Sequence, residues 1–186
     1  MGGNLYRKTA GSASTYTYTS QSSATSEGAF LTEVNTQGQA GYWYYSPVFL
    51  NSQSVDIFVK DNSSSATYTY DALSPVAGAT ALISQMNSEG TKGYRAKGEL
   101  AAGTDTFWVY IKDQTQSPTF TFQSIALQTT SAGFILQSNG LGAQGQSYFS
   151  DLALGTTTPL SIVSVYFSAT NCTGFLCGAL NPLTQS

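Results

Sequence analysis

The sequence predicts an α+β fold made of three tandem β-α-β-β units, and three observations predict it. The stretch from Phe30 to Tyr42 recurs from Leu82 to Tyr94 and, more weakly, from Phe134 to Gly145. Asn35, Asn87 and Asn139 set a common step of 52 residues, which Gly38, Gly90 and Gly142 keep, as do Gly41, Gly93 and Gly145. A repeat of this length marks one supersecondary unit used three times. Aromatic and threonine residues alternate in Thr15-Tyr16-Thr17-Tyr18, Thr67-Tyr68-Thr69-Tyr70 and Thr119-Phe120-Thr121-Phe122, the period-2 pattern of a strand. Between these strands, Phe30, Leu31 and Val34, and then Leu82, Ile83 and Met86, fall on one narrow stripe at helical spacing.

Each unit opens with the aromatic/threonine strand and passes through a Ser/Thr-rich linker into its helix. Ser26 before Glu27 is a start signal in the first unit, and Ser74-Pro75 in the second, a capping side chain followed by proline at the first helical position. Gly38 and Gly90 are expected to end the helices, since glycine accepts the left-handed conformation of a C-terminal cap. A second strand then begins at Gly41-Tyr42 and Gly93-Tyr94, and a third runs through Val55 to Lys60 and Phe107 to Lys112. The helical connection predicts parallel first and second strands through a right-handed crossover, and the short connections predict antiparallel neighbours. Chained together, the units are expected to form one continuous, mixed, mostly antiparallel sheet of about nine or ten strands with the helices on one face.

The whole chain, 1–186, is expected to be a single repeat domain. Repeat 1 covers 15–66, repeat 2 covers 67–118 and a degenerate repeat 3 covers 119–170. In repeat 3 Ser138 replaces Val34 and Met86, Gln146 replaces Tyr42 and Tyr94, and an insertion near Gly155 to Pro159 shifts the last strand. Residues 4–14 match the end of a repeat that would precede the first; within them Leu5, Tyr6, Arg7 and Lys8 are a candidate assembly strand, able to complete a neighbour's sheet. Residues 171–186 form a tail outside the repeat. One unit buries three or four large helical side chains, at about 1.5–3 kcal/mol each. That is too little to order some fifty residues alone, so the units are expected to fold together.

The helix-to-strand junction, Val34-Asn35-Thr36-Gln37-Gly38-Gln39-Ala40-Gly41-Tyr42, resembles that of small bacterial domains of unknown function. Those carry leucine-asparagine, two residues, glycine, two residues, then glycine and an aromatic. The resemblance covers about fifteen residues per repeat, and the third copy departs from it at Gln146. It implies strand-helix-strand-strand units and a bacterial origin, and it brings no catalytic residue.

The chain is 41% apolar but only 9% charged, against about 25% in ordinary soluble domains. Abundant serine, threonine and tyrosine with so little charge are expected of an extracellular or cell-surface protein, with the periplasm as an alternative. The opening residues lack the apolar run of a signal peptide, so a secreted chain is expected to have had its signal removed. A net charge of −3 with seven basic residues and no basic run gives no footprint for nucleic acid. No run reaches the ~18 apolar residues of a membrane span.

With no histidine in the chain, Ser-His-Asp, Cys-His and histidine-metal chemistries are excluded. Glu33 becomes Gln85 and Gln137 in the sister units, so the repeat does not generate the carboxylate pair a glycosidase needs. No catalytic residue, metal or cofactor is therefore expected. The glycine pairs follow helices, whereas a phosphate cradle opens one. Together with Asn35, Asn87 and Asn139 they read as a structural junction, the asparagines bonding its backbone. Lys60-Asp61 and Lys112-Asp113 read as solvated strand ends that discourage edge pairing. Cys172 and Cys177 leave two readings open, a small disulfide loop and a pair of separate thiols.

The aromatic residues are the candidates for recognition. Tyr16, Tyr18, Tyr68, Tyr70, Trp43 and Trp108 would form a binding face for glycans if exposed, or core if covered. The function expected from these features is a non-catalytic repeat protein acting through self-assembly or adhesion, with itself as partner. A glycan- or small-ligand-binding module is the alternative.

Overall fold

The computed structural model describes residues 14–154 and 161–178. The candidate strand Leu5 to Lys8 and the insertion near Gly155 lie outside them. Three units follow one another: β1 (Tyr16–Ser22), α1 (Glu27–Gln39), β2 (Trp43–Leu50) and β3 (Gln53–Asp61); β4 (Tyr68–Leu73), α2 (Ala79–Thr91), β5 (Arg95–Ala102) and β6 (Asp105–Asp113); β7 (Thr119–Ala126), α3 (Ser131–Gly142), β8 (Ser147–Leu154) and β9 (Ser161–Thr170). The α+β class and the thrice-repeated β-α-β-β order are those the 52-residue step predicts.

The strands divide into three separate three-stranded sheets, ordered β1-β3-β2, β4-β6-β5 and β7-β9-β8, where a single continuous mixed sheet was expected. All pairings are antiparallel. The first and second strands of a unit do run parallel, but the third inserts between them and pairs with both. Each third strand thus takes all its hydrogen bonds inside its own unit, and no strand edge is shared between units.

The three sheets carry the same irregularity. Register skips one residue at Tyr45, at Lys97 and at Phe149, a β-bulge repeated at the 52-residue step. In the third sheet Ser147 pairs with Phe167, whereas its counterpart Arg95 pairs with Ile111. The inserted residues before β9 therefore shift that strand by four places without altering its pairing.

Helix ends follow local chemistry more closely than motif. Ser26 caps α1, its hydroxyl accepting from the Ala29 N–H, and Thr130 caps α3 through Gly133. The second helix begins at Ala79 behind Gly78, four residues later than Ser74-Pro75 predicts, and has no side-chain cap. At the C-terminal ends Gly38 and Gly90 lie within the helices. The left-handed turn comes three residues later, at Gly41 (φ 86°), Gly93 (φ 91°) and Gly145 (φ 78°). There Tyr42 N–H donates to the Gln37 carbonyl and Gly41 N–H to that of Gly38, a pattern repeated at Tyr94 and Gln146, the paired bonds of a Schellman closure.

Lys60 and Lys112 complete these ends. Lys60 Nζ donates to the Ala40 carbonyl and Lys112 Nζ to the Lys92 carbonyl, each at 2.8 Å. A cation at a helix C-terminus satisfies orphan carbonyls and the negative end of the dipole. Their partners in sequence, Asp61 and Asp113, fold the next turn by accepting from Ser63 and Thr115. The repeated Lys-Asp pair is thus a two-sided cap.

One core runs through all three units. Its largest buried side chains include Phe30, Phe58, Met86, Phe107, Tyr110, Phe120 and Phe167. Cys172 and Cys177 are joined in a disulfide, and the loop they close packs back onto the first two units. Phe175 lies against Trp43 with ring centroids 4.8 Å apart, and against Tyr68 at 5.9 Å.

Glu33 is out of place on α1. Burial, with the charge of Asp56 adding to it, pushes its carboxyl up to about 7, and its Oε1 is buried without a partner. A carboxyl raised in the folded state binds its proton more tightly there than when unfolded, so this group's contribution to stability is lost as pH rises from about 4.5 through about 7. Glu33→Gln, which installs the residue of the sister positions 85 and 137, should flatten the pH dependence of the urea midpoint between pH 5 and 8. It should also leave the variant more stable than the parent at pH 8.

Candidate assembly interface

The first two helices each pack on the first strand of the following unit, α1 on β4 and α2 on β7. β4 and β7 are edge strands, with outer N–H and C=O groups that no strand pairs. A helix cannot extend a ladder, but one side-chain amide can imitate a single residue of it. Asn35 does so: its Oδ1 accepts from Tyr70 N–H at 2.8 Å and its Nδ2 donates to the Tyr70 carbonyl at 3.3 Å. Asn87 repeats this on Phe122 at 2.7 and 3.1 Å.

This contact requires the helix to lie almost on the strand backbone. A Cβ added at Gly38 would stand 2.3 Å from the Tyr68 carbonyl oxygen, and one at Gly90 would stand 2.0 Å from that of Phe120. These glycines serve close approach, not a turn. The far end of the joint is equally tight: Asp105 accepts from the Glu27 N–H at the start of α1, and Gly103 sits against Thr25. Phe30 then reaches across to Phe107, centroids 5.4 Å apart, and the Tyr70 hydroxyl accepts from Tyr44 N–H at 2.7 Å. Asn35 and Asn87 therefore bond the backbone of a strand 35 residues on, where the backbone of their own junction was expected.

Among the described residues, the outer members of the series present the two halves of this joint open. On the N-terminal side, Tyr16 and Tyr18 of β1 are 53% and 62% exposed, whereas their counterparts Tyr68, Tyr70, Phe120 and Phe122 are at most 4% exposed. On the C-terminal side Asn139, Gly142 and Gly145 of the third unit are exposed. A Cβ at Gly142 would meet nothing within 4 Å. Ile135 is 53% exposed where Leu31 and Ile83 are half-buried. After β9 the described chain turns away to Trp43, Tyr68 and Gln116 and does not run along α3 as a further first strand would.

The six aromatic residues singled out in the sequence do not share a face. Tyr68, Tyr70 and Trp108 are core, Trp43 is half-buried under Phe175, and only Tyr16 and Tyr18 stand open. Among the described residues no group of three or more acids and cysteines is placed to hold a metal ion, and no helix is long and apolar enough to cross a membrane. No protein-family model matches the chain, nor does any curated protein or solved structure.

Matched substitutions separate filled from open joints. Asn87→Ala strips two hydrogen bonds from a covered edge and should cost about 1–3 kcal/mol; Asn139→Ala should stay within about 0.5 kcal/mol of the parent. Gly90→Ala forces α2 off β7 and should cost about 1–3 kcal/mol, while Gly142→Ala should be neutral or up to about 1 kcal/mol stabilising. Urea denaturation of the four variants in dilute solution checks all of these.

Proposed function

We propose that the chain is a non-catalytic structural protein that assembles head to tail, α3 of one copy seating on β1 of the next. The observation that carries this reading is the pair of open half-joints. The helix half, with Asn139 and Gly142, and the strand half, with Tyr16 and Tyr18, correspond residue for residue to the halves closed twice inside the chain. Asn139 would take the place of Asn35 and Asn87 on the backbone of Tyr18, and Gly142 would lie over Tyr16. The two surfaces differ, so the contact is heterologous, and repeated addition gives a ring or a filament according to its rotation. The sheet edge is thereby extended by a helix rather than by an added strand.

A setting outside the cytoplasm is supported by the Cys172–Cys177 disulfide, since such bonds persist where thiols are not kept reduced. The low charge of 9% also suits a protein whose surfaces meet its own copies. Glycan binding on an aromatic face is the weaker reading, because Tyr68, Tyr70 and Trp108 are buried.

Sedimentation velocity over a wide concentration range, with electron microscopy of the most concentrated sample, tests the proposal. The parent chain should show mass rising above the monomer and rings or filaments on the grid. Gly142→Ala should remain monomeric with its thermal midpoint unchanged or raised. A parent that stays monomeric throughout, or a Gly142→Ala chain that assembles as the parent does, overturns it.

A further inference from the structure

Away from the open joints, β2, β5 and β8 line a common cavity of about 430 Å³, with β6 and the disulfide loop completing its walls. The volume suits a small organic molecule. Trp43, Trp108 and Phe149 give it an aromatic lining, and two cations, Arg95 and Lys97, stand among them. These are two of only seven basic residues in the chain.

Neither cation has an acid for a partner. Among the described residues the one ion pair is that of Lys92 with Glu89; Glu99, which also lines the cavity, is exposed. Arg95 is 6% exposed. It donates from one terminal nitrogen to the carbonyls of Phe175 and Leu176, at 3.3 and 2.9 Å, and its guanidinium lies 4.5 Å from the centre of the Phe167 ring. These contacts hold the group without neutralising it, and its buried Nε has no partner. Lys97 occupies the bulge of β5, where the extra residue re-aims a side chain. Its ammonium donates to the Tyr45 carbonyl at 3.0 Å and lies 5.1 Å from the Tyr44 ring centre, leaving donors to spare.

The repeat itself does not require these charges. The positions of Arg95 in the sister units hold Trp43 and Ser147, and those of Lys97 hold Tyr45 and Phe149. The same strand and bulge thus form with neutral residues. A buried guanidinium with a second, half-buried cation on the same strand is costly unless something pairs with it. Burial lowers the Arg95 guanidinium to about 10, and burial together with repulsion from Arg95 lowers the Lys97 ammonium to about 8.

We propose that this cavity is a binding site for a small carboxylate carried on an apolar or aromatic body. Arg95 and Lys97 hold the carboxylate, and Trp43 and Trp108 flank the body. The planar guanidinium and the ammonium supply the charge-assisted bonds, and the apolar walls select against hydrated inorganic anions. The site is separate from the assembly joint and stands whether or not copies associate.

Titration of the full chain with phenylacetate, followed by tryptophan fluorescence and calorimetry, tests the assignment, with phenylacetamide and inorganic sulfate as comparisons. Phenylacetate should bind saturably at pH 7, and the amide and sulfate at least tenfold more weakly. Lys97→Met, which keeps the length of the side chain and leaves the Arg95 contacts in place, should weaken phenylacetate about tenfold without lowering the thermal midpoint of the free protein. Affinity should also fall from pH 7 to 9.5 as the Lys97 ammonium deprotonates. Of the other groups lining the cavity, Glu99 is an exposed acid, burial raises Tyr44, burial and Asp151 raise Tyr148 to about 12, and burial lowers Arg95 to about 10. Absence of saturable binding, equal affinity for acid and amide, or unchanged affinity in Lys97→Met would each overturn the proposal.

Discussion

The closeness of a helix to the strand edge behind it governs the rest of this structure. α1 and α2 can seat on β4 and β7 only because a glycine removes the one carbon atom that would stand between helix and carbonyl. Once seated, each helix places an asparagine amide on an edge that would otherwise present bare donors and acceptors. The apolar stripes then close over the sheets, and three small cores become one. The order of the units, the continuity of the core and the exposure at either end of the series all follow from this single approach distance.

Much of this was legible in the sequence. The step from Asn35 to Asn87 to Asn139 gave the three units and the order of elements within them, and the alternation of aromatic residues with threonine located the first strands. The division into three sheets was hidden because a period-2 pattern shows which face a residue takes, not which edge accepts a partner. The crossover from β1 to β2 suggested neighbours, and the insertion of β3 between them depends on long-range pairing. Gly38 and Gly41 look alike in sequence, yet one allows close contact and the other a left-handed turn. Nor does an asparagine near a helix end announce that its partner lies on the next unit's strand.

The candidate sites divide in the same way. The junction residues were visible but their partners were not, because Tyr70 and Phe122 contribute backbone that no side-chain pattern marks. Of the six aromatic residues singled out in the sequence, Tyr68, Tyr70 and Trp108 proved to be core, since α1 and α2 pack both on their own sheets and on the first strand of the next unit. Arg95 and Lys97 carried a signal that could have been found: they break the repeat, placing charge where Trp43 and Tyr45 stand. In a repeat protein, departures from the period point to chemistry better than agreement with it.

The joint also bears on how such a chain reaches its fold. Asn35 meets Tyr70 and Asn87 meets Phe122, so each closure needs only a few dozen residues beyond the helix to have emerged from the ribosome. Contacts of such modest separation carry a small loop-closure penalty. Each helix thus finds its strand partner in one short segment that follows it, so no joint in the series has to wait for a distant part of the chain.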